Sequence, residues 1–142
     1  MQTRRLGPFD VAPIGLGCMS LSHAYGTPPD KPEAQRVLLE ALELGYTHFD
    51  TANMYGFGAN EELIGETISH RRQAFTLASK CVLGVNDEGK REINARPDNI
   101  KKTCERALKR LKTDVIDLYY LHRRDFTVPI EDSVGAMADL VQ

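Results

Sequence analysis

Thr47-His48-Phe49-Asp50-Thr51-Ala52-Asn53-Met54-Tyr55-Gly56-Phe57-Gly58-Ala59-Asn60-Glu61-Glu62-Leu63-Ile64-Gly65 reads as a strand, a turn and the start of a helix. Residues 47–52 form the short strand, and residues 53–58 are a turn. Asn60-Glu61-Glu62 opens a helix that runs to about residue 69, with Asn60 as its N-cap. Leu63, Ile64 and Ile68 point inward, and Glu61 and Glu62 favour the helix N-terminus electrostatically.

The same unit recurs on either side. Upstream, residues 11–19 are apolar and glycine-rich, a first strand ending in Gly15-Leu16-Gly17. A Ser-, Gly- and Pro-rich loop over 20–31 leads to a helix over 32–44, with Pro32 in its first turn and Gly45 closing it. Downstream come a third strand over 75–81, a polar loop over 84–96, and a helix over 97–111. That helix carries Ile100, Cys104, Ala107, Leu108 and Leu111 at helical spacing. A fourth strand over 115–122, a loop over 123–129 and a helix over 130–140 complete the pattern. Strands alternating with helices predict a parallel sheet with crossover helices. A period of roughly 30 residues fits a doubly wound sheet or part of a (β/α)8 barrel.

Composition narrows the function. The 142 residues suit a single domain, and 42% apolar residues suffice for a packed core. A net charge of −2 gives no electrostatic reason for a nucleic-acid partner. No apolar run approaches the roughly 20 residues of a membrane helix, and no secretory h-region follows the N-terminus. Cys18, Cys81 and Cys104 have no CxxC spacing. They read as reduced thiols of a cytoplasmic protein, with Cys81 a buried core thiol. The histidines lack metal-ligand spacing, so no metal is expected. The basic pairs Arg71-Arg72, Lys101-Lys102 and Lys109-Arg110 read as solvated surface.

The chemistry gathers at the strand ends. Asp50, Lys80 and His122 each close an apolar run, and Tyr55 follows Asp50 in the turn. In parallel α/β folds the carboxyl ends of strands carry the ligand site. Taken singly, an Asp50–Lys80 ion pair, a half-buried His122 and a packed Tyr55 each have an ordinary structural explanation. Together they make a coherent proton-transfer site. An ammonium beside a phenol lowers its pKa, and His122 can donate to a carbonyl oxygen. The set suits carbonyl reduction, and because no side chain donates a hydride a cofactor must. Gly15-Leu16-Gly17 lacks the third glycine of the dinucleotide fingerprint, since Ser20 follows Cys18-Met19. A flavodoxin-like phosphate loop is likewise poorly matched by Cys18-Met19-Ser20-Leu21-Ser22.

These segments resemble the aldo-keto reductases. Asp50-Thr-Ala-Asn-Met-Tyr55-Gly56 with Asn60-Glu61-Glu62-Leu63-Ile64-Gly65 resembles their second-strand signature. Ala78-Ser79-Lys80 and Asp117-Leu118-Tyr119-Tyr120-Leu121-His122-Arg123 resemble their third- and fourth-strand segments, and Val128-Pro129-Ile130-Glu131 the next helix start. The likeness is collinear and looks greatest to the bacterial and plant-type branch similar to potassium-channel β-subunits and general stress reductases. It implies a (β/α)8 TIM-type barrel of which residues 1–142, the N-terminal half, supply about four βα units. It also implies a β-hairpin near the N-terminus, over residues 3–14 with its turn at Gly7-Pro8-Phe9-Asp10. A catalytic tetrad of Asp50, Tyr55, Lys80 and His122 follows, with Tyr55 as general acid. NADPH is then the cofactor, lined by Gly17, Cys18, Met19 and Asp50. Tyr25, Tyr55, Phe57 and His122 are expected to line the pocket for a small carbonyl substrate.

A full barrel takes about 250 residues. Half of one has two open sheet edges, which predicts self-association into a homo-oligomer. The alternative is an inactive, truncated or regulatory fragment that needs a second copy or partner chain.

Overall fold

The computed structural model describes residues 2–23, 25–86 and 88–142. An antiparallel hairpin, β1 (Arg4–Leu6) and β2 (Phe9–Val11), opens the chain. Its turn at Gly7-Pro8 lies where the sequence predicts it. Then come β3 (Leu16–Gly17), α1 (Lys31–Glu43), β4 (His48–Asp50), α2 (Ala59–Ile68) and β5 (Thr76–Cys81). A second hairpin follows, β6 (Leu83–Val85) with β7 (Arg91–Ile93). The chain closes with α3 (Pro97–Leu111), β8 (Leu118–Leu121) and α4 (Ile130–Val141). Strands β3, β4, β5 and β8 form one parallel sheet in that order. The predicted alternation of strand and helix is therefore realised.

Three local expectations are corrected. The first strand is not continuous over 11–19: Val11 pairs in the hairpin, only Leu16 and Gly17 join the sheet, and Met19 starts a 3-10 turn. The segment 84–96 is not all loop but holds most of the β6–β7 hairpin. Asn60 is not an N-cap. Helix α2 begins at Ala59, its cap is Gly58 at φ 101°, and Asn60 is buried inside the first turn.

Helix α1 starts as its sequence dictates. The Asp30 carboxylate accepts from the Glu33 amide at 2.9 Å, and Gly45 at φ 90° follows its end. The main core lies between the sheet and α1, α2 and α3. Phe49 and Leu77 from the strands pack there with Leu38, Ile64, Ile68, Ala107 and Leu111. A smaller core of Cys81, Val82, Ala95, Ile100 and Ala136 sits under α4. Among the described residues, no helix is long and apolar enough to cross a membrane.

Candidate active site

Alternation along the strands sorts the functional side chains. Paired residues in a parallel ladder share a face, and successive residues alternate. Asp50 pairs with Ala78, and Lys80 with Tyr120, so Asp50, Lys80 and Tyr120 share one face. Phe49, Leu77, Ser79 and Cys81 lie on the opposite face, against the helices. His122 follows β8 and extends the ladder, its amide donating to the Cys81 carbonyl at 3.1 Å. Tyr55 begins a tight turn over Tyr55–Gly58 in which Gly56, Phe57 and Gly58 all have positive φ. That left-handed path folds the chain back between β4 and α2 and returns Tyr55 toward the strand ends.

Asp50 and Tyr55 meet at the Lys80 ammonium, and His122 joins them through the Tyr55 ring. The ammonium is paired with the Asp50 carboxylate, donates to the Thr51 carbonyl at 2.8 Å, and donates to the Tyr55 hydroxyl at 3.2 Å. An ammonium has three protons, so all are engaged. Because the Tyr55 oxygen accepts from Lys80, its own proton is free to point to another acceptor. The Lys80 side chain is only 14% exposed, and such a charge is tolerable because a carboxylate and two oxygens surround it. The His122 ring meets Tyr55 edge-on, with centroids 5.9 Å apart at 84°. Burial holds the imidazole pKa below its ordinary value, and the nearby charges of Lys80 and Arg123 push the same way. His122 is thus neutral at pH 7, a hydrogen-bond donor at one nitrogen. Its buried Nδ1 has no partner among the described residues.

The remaining expectations divide. Gly17 stands level with Asp50, is exposed, and has nothing within 4 Å of the place a Cβ would occupy. Met19 is half-buried in the 3-10 turn after β3. Cys18 is fully buried in the main core, its amide bonded to the Asp50 carbonyl at 2.8 Å. Burial first, and then the Asp50 charge, push its thiol up to about 12. Its side chain is therefore a core group. Tyr25 and Phe57 are strongly exposed. Phe57 lines a polar cleft with Asn53, Val82, Gly84, Thr103 and Arg106. Cys81 is buried as expected, its thiol raised to about 12 mainly by desolvation.

Sequence reasoning missed a buried polar cluster behind the site. Asn60 and Glu61 are both fully buried. Asn60 accepts from the Thr51 hydroxyl at 2.6 Å and donates to the Cys18 carbonyl at 2.8 Å and to Ser22 Oγ at 2.9 Å. Glu61 accepts from Ser79 Oγ at 2.7 Å and from Arg110 at 3.2 Å. Arg110 is therefore not a solvated surface residue. Nor is Arg72, which binds Asp117 and the Phe75 carbonyl and is 17% exposed. The clue was available: 61, 64 and 68 follow the i, i+3, i+7 spacing of one face, which places Glu61 in line with Ile64 and Ile68.

Comparison with known proteins agrees with this geometry. The model of the aldo/keto reductase family matches residues 13–142. The chain belongs to that family. It is 45% identical over 144 residues to the NADP(+) aldo-keto reductase yakc of Schizosaccharomyces pombe, covering 99% of this chain and 42% of that protein. The holo form of aldo-keto reductase AKR11C1 from Bacillus halodurans superposes with a TM-score of 0.86 at 38% identity, covering 99% of this chain and 46% of that one. An aldo/keto reductase from Klebsiella pneumoniae, solved with NADP and acetate, gives a TM-score of 0.76 at 30% identity, over 93% of this chain and 42% of that one. The chain thus spans under half the length of these relatives, and its four parallel strands form part of a (β/α)8 barrel.

Proposed function

We propose that the chain carries the proton-transfer machinery of an NADPH-dependent carbonyl reductase, which turns an aldehyde or ketone into an alcohol. The observation that carries this reading is the Lys80 ammonium bonded to Asp50 and Tyr55 together. The residues present fit a nicotinamide cofactor. Gly17, the strand partner of Asp50, is exposed and has open space where a Cβ would stand, leaving room for a flat ring. The name of the yeast relative and the Klebsiella complex both carry NADP. When bound, NADPH supplies the hydride that reduces the carbonyl carbon.

This chain's own residues handle the oxygen and the proton. Neutral His122 donates its N–H to the carbonyl oxygen and fixes its position. Tyr55 passes its proton to the same oxygen as negative charge develops there. The phenolate left behind is stabilised by Lys80, which Asp50 and the Thr51 carbonyl hold in place. Tyr55→Phe keeps the ring and removes the proton. Turnover of a reactive aldehyde with NADPH is expected to fall by at least about 100-fold, the lower range for loss of a general acid, with cofactor affinity little changed. A Tyr55→Phe variant that turns over at the parental rate rules the reading out.

A second reading is favoured by the length comparison. The relatives are about twice as long, and the sheet here has four strands. In that reading the tetrad is assembled in these residues and turns over only when the other half of the barrel, whatever chain carries it, completes the mouth.

A further inference from the structure

We propose that Asn60 and Glu61 are positioning residues, a buried polar pair in the first turn of α2 that sets the relative heights of three strand ends and so places Lys80 against Tyr55. The inference rests on the tetrad reading above. Each partner of the pair adjoins a residue of the site. Thr51, held by Asn60, follows Asp50, and its carbonyl is one of the three acceptors of the Lys80 ammonium. Ser79, held by Glu61, precedes Lys80 on β5. Cys18, whose carbonyl receives the Asn60 amide, lies between Gly17 and Met19 at the end of β3. The pair also begins two residues past Gly58, the end of the turn that carries Tyr55.

Arg110 completes the arrangement from α3. Its guanidinium binds Glu61 and lies where a side chain on Gly58 would stand, 2.3 Å from the ideal Cβ position. Glycine at 58 therefore does two things: it adopts φ 101° and lets the guanidinium close over the turn. One cation thus touches both the helix that holds Ser79 and the turn that holds Tyr55. A buried carboxylate is costly unless paired and hydrogen-bonded, and Ser79 Oγ and Arg110 supply both, so Glu61 ties α2 to β5 and to α3. Cutting one link lets β5 or the Tyr55 turn shift by a fraction of an ångström, enough to break a 3.2 Å contact without unfolding the chain.

The test uses two variants of the whole chain, Glu61→Gln and Ser79→Ala, with Lys80→Met as reference. Neither Glu61 nor Ser79 touches the reacting atoms. The first readout is the ring signals of Tyr55 in carbon-13 tyrosine NMR, which need no turnover. They are expected to move in both variants toward their positions in Lys80→Met, while circular dichroism stays that of the parent. The second readout is aldehyde reduction, where kcat is expected to fall about tenfold with KM changed less than about twofold. Should Glu61→Gln fail to fold, Ser79→Ala, which removes one hydroxyl, decides the matter. Folded variants with unmoved Tyr55 signals overturn the inference. A parent chain that shows these NMR shifts in its variants but does not reduce an aldehyde leaves the positioning role standing and favours the second function reading over the first.

Discussion

His122 carries a pH signature that belongs to the single residue. Desolvation is the main cause of its lowered pKa, and the Lys80 and Arg123 charges add to it. Between that lowered folded value and the ordinary 6.5 of the unfolded chain, the unfolded state binds more protons. The contribution of this residue to stability is therefore complete above 6.5 and is lost as pH falls through the window beneath it. In an NMR titration, the His122 ring is expected to reach its midpoint below 6.5, and a midpoint above that value contradicts the account. At this scale the sequence was informative wherever a polar residue interrupts an apolar run. Asp50, Lys80 and His122 stand out in that way, and the structure brings Asp50 and Tyr55 to the Lys80 ammonium and His122 to the Tyr55 ring. Asn60, Glu61 and Arg110 were misread because rules for helix ends and solvated charges look only at neighbours in the chain. Their true partners, Cys18, Ser79 and Glu61 respectively, lie 42, 18 and 49 residues away. Tyr25 and Phe57, expected at the pocket, are both strongly exposed, and Phe57 lines a cleft beside Asn53.

Helix α2 and helix α3 meet at Gly65. A Cβ there stands 2.1 Å from the Arg110 carbonyl oxygen and 2.9 Å from Leu111 Cα, both backbone atoms of a neighbouring helix. No side-chain rotation relieves that clash, so Gly65→Ala must push the helices apart. The expected loss is about 1–3 kcal/mol in urea unfolding, the usual penalty of overpacking. A Gly65→Ala variant as stable as the parent contradicts the close approach of these helices. The movement also acts on Arg110, so the element contact and the tetrad are mechanically linked. Helices were legible from the sequence because their apolar spacing extends over ten or more residues: α3 spans the predicted 97–111. The short strands were less so. Only two residues of the predicted first strand join the sheet, since a glycine-rich apolar run serves a hairpin, a strand or a 3-10 turn equally well. The β6–β7 hairpin escaped notice because the bend leading into it falls at Val82, φ 71°, a β-branched residue that carries no turn signal.

The whole molecule is a four-stranded parallel sheet with both outer strands, β3 and β8, lacking a neighbour among the described residues. Exposed apolar side chains lie on α4 beside β8 and at Ile14, Leu39 and Leu44. Val134, Leu140 and Val141 are those on α4, while Ile14 precedes β3, and Leu39 and Leu44 lie in or just after α1. Open parallel edges flanked by apolar surface favour association. Strand order and the barrel type were legible in the alternation of elements and in the motifs at the strand ends. The most direct test of the account is a titration of the purified 142-residue chain with NADPH, followed by cofactor fluorescence. The account predicts saturable binding at micromolar cofactor. A folded chain that binds no NADPH contradicts it.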